Sequence, residues 1–106
     1  MGTLFYGAGR LAINVDDRLL THLKTVILTR LRRHEPVILN WRDAVEMGDG
    51  RTTVWIDHST DLLFHFVGSR RPELDRELLD DLATQANTST GIDLGDAASL
   101  TAPPPH

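Results

Sequence analysis

The sequence predicts an α+β domain of order ββαβββα, with a mainly antiparallel sheet of about five strands and two helices on one face. Three observations carry this expectation. Apolar residues alternate at the strand period in Leu11, Ile13 and Val15, in Val37, Leu39 and Trp41, and in Leu62, Phe64 and Phe66. They recur at helical spacings over residues 19–31 and 74–86. The links between the later extended segments are short, as antiparallel neighbours allow and parallel crossovers do not. A strand has one face to bury and a helix one stripe, so a two-layer packing satisfies both.

Residues 3–7 open the chain as an aromatic and aliphatic strand. Gly7 and Gly9 supply the backbone freedom for a tight reversal into residues 11–15. Asp16 or Asp17 caps a helix whose stripe is Leu19, Leu20, Leu23, Val26, Ile27 and Leu31. His22 follows the first two leucines and is expected at the boundary of that stripe. The helix ends near Arg33, because Pro36 disfavours helical geometry at Glu35. From Val37 the chain is extended, with Val37, Leu39 and Trp41 on one side and Ile38, Asn40 and Arg42 on the other. Residues 42–50 lead into a strand where Val54 and Ile56 oppose Trp55. After a turn at 57–61, residues 62–67 complete a three-strand meander. Ser69 is expected to cap the second helix, with Pro72 in its first turn and Leu74, Leu78, Leu82 and Ala86 on one face. Thr88, Ser89 and Gly91 close it. Residues 92–106 are poor in apolar side chains and finish in three prolines, so the domain is expected over 1–91, with 92–106 a flexible C-terminal tail.

Bulk properties exclude several chemistries. A chain of 106 residues holds one core. The absence of cysteine removes disulfides, thiolate nucleophiles and cysteine-based zinc sites. No apolar run is long enough to cross a bilayer, and residues 1–4 lack the pattern of a secretory signal. A cytoplasmic protein without membrane association is therefore expected. The formal net charge of −4 argues against a general affinity for nucleic acid.

The stretch "MGDGR" (47–51) raises the question of a phosphate loop. Such loops aim several backbone amides at one point, usually at a helix N-terminus. Here Gly48-Asp49-Gly50 runs into a strand, and Asp49 places negative charge where a phosphate would sit. Walker and dinucleotide fingerprints are both missing. The segment reads as a hairpin turn built on Asp49-Gly50.

Four stretches carry a resemblance: "MGTLFYG", "DDRLLTHLKTVILTRLRR", "WRDAVEMGDGRTTVWID" and "GSRRPELDRELLDDLATQANTSTG". Together they make nearly all of residues 1–91 resemble a family of small actinobacterial proteins of uncharacterised function, commonly labelled ATP-dependent DNA ligase. That label implies a Lys-x-Asp-Gly-x-Arg motif whose amine attacks the α-phosphate of ATP. Laid over the motif, this chain has Met47 in place of the lysine, and Arg51 stands one position early. Lys24, the only lysine, lies in the first predicted helix without the motif around it. A self-sufficient ligase is therefore not expected, nor is an enzyme of another kind. Asp57-His58-Ser59 holds triad residue types as chain neighbours, which is not the triad geometry. Asp57, His58, Asp61 and His65 are metal-ligand types, but alternation sets His65 opposite Phe64 and Phe66. No cofactor or metal is expected.

Two binding candidates remain. Trp41 and Trp55 lie on neighbouring strands, and the sheet face away from the helices would present apolar side chains to a protein partner or to a second copy in a homodimer. The alternative is a nucleic-acid accessory role near DNA repair or ligation, using Arg30, Arg32, Arg33, Arg70 and Arg71 as a phosphate-binding patch if the two helix ends lie together. The first three arginines also have a structural explanation, since positive charge is favoured at a helix C-terminus.

Overall fold

Asp16 and Asp75 each accept two backbone N–H groups from the turn that follows, and these two caps set where the helices begin. Asp16 takes the amides of Arg18 and Leu19, opening α1 (Asp17–Arg32); Asp75 takes those of Glu77 and Leu78, opening α2 (Arg76–Ala86). Each cap is worth about 1 kcal/mol. The computed structural model describes residues 2–43 and 50–100. Its strands are β1 (Gly2–Tyr6), β2 (Leu11–Val15), β3 (Val37–Arg42), β4 (Arg51–Ile56), β5 (Leu62–His65), β6 (Ile92–Asp93) and β7 (Ala98–Leu100). The α+β class and the order ββαβββα hold through α2, and two short strands follow.

The start of α2 differs from the sequence expectation. Ser69 does not cap it; residues 67–75 form an irregular segment and Asp75 is the cap. At the other end of α1, the chain leaves through a left-handed residue. His34 has φ of 58°, its N–H donates to the Leu31 carbonyl, and the Glu35 N–H donates to Arg30. This 6→1 and 5→2 pair closes the helix in the Schellman manner, a tighter stop than Pro36 alone provides.

The strands form two sheets rather than one of five. One has the order β5-β1-β2-β7 and the other β4-β3-β6. β3 and β4 form the expected antiparallel pair, with Ile38 opposite Trp55 and Trp41 opposite Thr52. The meander stops there, because β5 crosses to pair with β1, where Phe64 stands opposite Leu4. Gly48 and Asp49 of the expected turn lie outside the described residues.

The stretch expected as a tail is built into the fold as far as Leu100. β6 pairs parallel to β3, with Ile92 against Leu39, and β7 pairs antiparallel to β2, with Leu100 against Ile13. Ile92, Leu94, Ala98 and Leu100 are buried. The stretch has few apolar residues, but all except the exposed Ala97 face the core. Low apolar content therefore did not mean low burial. Residues 101–106 lie outside the described residues.

The helices pack side by side and parallel. Arg18 near the start of α1 contacts Asp75 at the start of α2 at 2.7 Å, and Arg30 donates to Asn87 past the end of α2 at 2.6 Å. His22 is fully buried between them, not at a boundary. Its Nδ1 donates to the Arg18 carbonyl at 2.6 Å, and its Nε2 accepts the Asp75 N–H at 2.8 Å. Both ring nitrogens are thereby used, which is why an imidazole is tolerated in the core. One apolar cluster unites both helices and both sheets, centred on Leu4, Leu20, Leu23, Ile27, Leu39, Trp41, Ile56 and Ile92.

Two outcomes follow from this packing. Ile92→Ala should lower the unfolding free energy by about 2–5 kcal/mol in urea titrations, as for other emptied aliphatic core sites; a free tail would give no change. His22→Leu should cost about 1–3 kcal/mol by the same measurement, since it strands the Asp75 N–H in an apolar setting.

Candidate functional site

The two tryptophans fall on opposite sides of their sheet. Trp41 is 1% exposed and Trp55 is 54% exposed. The side of β3 bearing Val37, Leu39 and Trp41 is the core side, so Trp41 is a core residue and not part of an outer binding face. Its indole N–H donates to Asp43 Oδ1 at 2.9 Å. The other carboxylate oxygen of Asp43 accepts the Thr52 hydroxyl at 2.8 Å, and the Asp43 N–H donates to the Gly50 carbonyl at 2.7 Å. Asp43 thus closes the base of the β3–β4 hairpin, a role that residue type alone did not suggest.

Trp55 lies on β4, at an edge of the sheet, where Val54 and Ile56 point inward and it points out. Across the strand stands Ile38. The Tyr6 hydroxyl donates to the Trp55 carbonyl at 2.7 Å, joining the two sheets at this point. The Trp55 indole N–H reaches Asp57 Oδ2 at 3.4 Å.

The five arginines do not converge. Because α1 and α2 run parallel, like ends meet like ends. Arg30 is held at the C-terminal end, donating to Asn87 and twice to the Pro36 carbonyl at 3.1–3.2 Å. Arg32 is exposed nearby, and Arg33 lies 3.8 Å from Glu35. Arg70 and Arg71 precede α2 and so flank the opposite half of α1.

What the fold gathers instead is a cleft of about 380 Å³ between α1 and the segment 66–74. Lys24, Arg70 and Arg71 line it together with Thr21, Phe66 and Leu74. The Lys24 ammonium lies 5.7 Å from the centroid of the Phe66 ring, a cation–π distance. The sequence did hold half of this site. Asp17, Thr21, Lys24 and Thr25 recur at helical spacing on the polar side of α1. That residues 70 and 71 would face them is a product of the parallel helix pairing.

Residues 1–97 match the family model described as Domain of unknown function (DUF7882). The chain belongs to that family. The match runs past Gly91 and takes in β6 and Leu94, the first part of the stretch that the fold uses to join its sheets, and stops before β7. Neither the curated proteins nor the solved structures furnish a match.

The turn that follows β4 is organised by Asp57. Its Oδ1 accepts the Ser59 N–H at 2.9 Å and the Ser59 hydroxyl at 2.7 Å. These bonds, with smaller contributions from Trp55 and Thr60, lower its pKa from 3.8 to about 2. His58 in the same turn stacks on His34 with ring centroids 4.3 Å apart. Among the described residues, no three His, Cys, Asp or Glu side chains gather in a way that could hold a metal ion.

Asp57 gives a sign-defined test. Its folded pKa lies below the unfolded value, so the turn's contribution is complete above about pH 4 and disappears as pH falls through about 2. A carboxyl-carbon NMR titration should place the Asp57 midpoint near 2, and Ser59→Ala should move it upward.

Proposed function

We propose that this domain is a small non-catalytic interaction module that associates with a second copy of itself, or with a protein partner, through the outer face of the β3–β4 pair around Trp55. The exposure of Trp55 carries this reading. A tryptophan more than half exposed on an edge strand forgoes most of its burial, and such residues are enriched at the centres of interfaces. Ile38 opposite extends the apolar surface across the strand pair. The face is otherwise polar, carrying Asn40, Thr53, Arg42 and Arg51, which suits a rim.

The reading as a non-enzyme rests on the residue set. Lys24 stands outside any adenylation motif, and the Asp57-His58-Ser59 trio is occupied as a turn, with Asp57 bonded to Ser59 rather than orienting His58.

Light scattering over a concentration series at low and high salt tests the association. Apolar contact persists or strengthens with salt, whereas contact through charges weakens. Trp55→Ala should shift the protein to monomer while changing unfolding free energy by roughly 0.5 kcal/mol or less, as for an exposed position. Trp41→Ala should instead cost about 3–5 kcal/mol of stability. A wild-type monomer at every concentration, together with unchanged capture of binding proteins by the Trp55→Ala variant, sinks the proposal. Incubation with labelled ATP should leave no covalent AMP on the protein; its appearance at any residue overturns the non-catalytic reading.

A further inference from the structure

We propose that the cleft between α1 and residues 66–74 is a binding site for a phosphomonoester carried on an apolar or aromatic body. Several cations of this protein are engaged internally: Arg18 pairs with Asp75, Arg30 with Asn87 and the Pro36 carbonyl, and Arg42 with Asp96. Lys24, Arg70 and Arg71 differ. Among the described residues none of the three has a hydrogen bond or ion pair, yet all three line one concavity on a chain of net charge −4. Holding three cations around one concavity with a single carboxylate beside them is unfavourable, and a bound anion lowers that cost.

The ligand's charge follows from the lining. Cations outnumber carboxylates three to one in the lining, which suits the roughly −1.5 to −2 of a phosphomonoester near neutral pH better than the single charge of a carboxylate. The hydroxyls of Thr21 and Thr25 donate to the carbonyls of Asp17 and Thr21, so toward the cleft they offer lone pairs. Donors to an anion therefore come from the ammonium and the two guanidinium groups, whose forked N–H geometry suits phosphate oxygens.

The ligand's body follows from the floor. Phe66 lies under Lys24, and Leu74, 57% exposed, lines the same cleft. The volume of about 380 Å³ is at the small end of the usual 300–1,000 Å³ range of ligand sites. It accommodates one phosphorylated group on a ring or short apolar chain.

The test is a titration of the intact ¹⁵N-labelled protein, followed by amide shifts, with phenyl phosphate, inorganic phosphate and benzoate as separate probes. Phenyl phosphate should produce saturable shifts at residues 21–25 and 66–74, and bind at least tenfold more tightly than either other probe. The Arg70→Gln/Arg71→Gln double variant should weaken it at least tenfold with an otherwise unchanged spectrum. Lys24→Gln should weaken it too, and Trp55→Ala should leave it as in wild type. Shifts that do not saturate or that lie elsewhere, equal binding of inorganic phosphate or benzoate, or undiminished binding by the double variant each overturn the proposal.

Discussion

The nine residues from Ile92 to Leu100 hold this fold together. β6 extends the sheet of β3 and β4, and β7 extends the sheet of β1, β2 and β5, so one short stretch is hydrogen-bonded to both. Between them, the Leu94 N–H donates to the Asn40 carbonyl and the Arg42 N–H to the Gly95 carbonyl. Without this crossing, the two sheets would be joined by little besides the Tyr6 hydroxyl on the Trp55 carbonyl and the helices over their shared core. The crossing also depends on one backbone position. Gly91 has φ of 84°, and a Cβ there would lie 2.5 Å from both the Cβ and the carbonyl oxygen of Ile38. Only glycine lets β6 approach β3 this closely.

The second constraint is polar and sits between the helices. His22 bonds the Arg18 carbonyl with one nitrogen and the Asp75 amide with the other, while Arg18 bonds the Asp75 carboxylate. The cap of α2 is thereby tied to the first turns of α1, and this sets the two helices parallel. Parallel pairing then distributes the charges. It separates Arg70 and Arg71 from Arg30, Arg32 and Arg33, and brings them to the polar side of α1 where Lys24 lies. The cleft is thus a consequence of the same hydrogen bonds that fix the helix pair.

These arrangements give the domain two different surfaces. Around Trp55 the outer face of β3–β4 is apolar with a polar surround, and the proposed association rests on it. The cleft is cationic over an apolar floor, which favours a small anion. The two lie on different elements, so a substitution at one can be read without disturbing the other.

The sequence by itself determined the first five strands, the two helices and the division of their faces. Alternation in residues 37–41 puts Val37, Leu39 and Trp41 on one side, the stripe of α1 marks Leu20, Leu23, Val26 and Ile27 for burial, and acidic caps stand at both helix starts, although at the second the sequence points to Ser69 and the fold uses Asp75. Which side of β3 faced the core was not legible, because alternation defines two faces without saying which one the helices cover. The splitting into two sheets, the burial of His22 and the capture of residues 92–100 were likewise decided by tertiary structure. Each depends on partners more than fifty residues away: β1 for β5, Asp75 for His22, β2 and β3 for the last strands. Local periodicity carries no information about such partners. The cleft shows the same division, since Lys24 and Thr21 share a helix face readable from spacing, while Arg70 and Arg71 reach it only through the packing of α2 on α1.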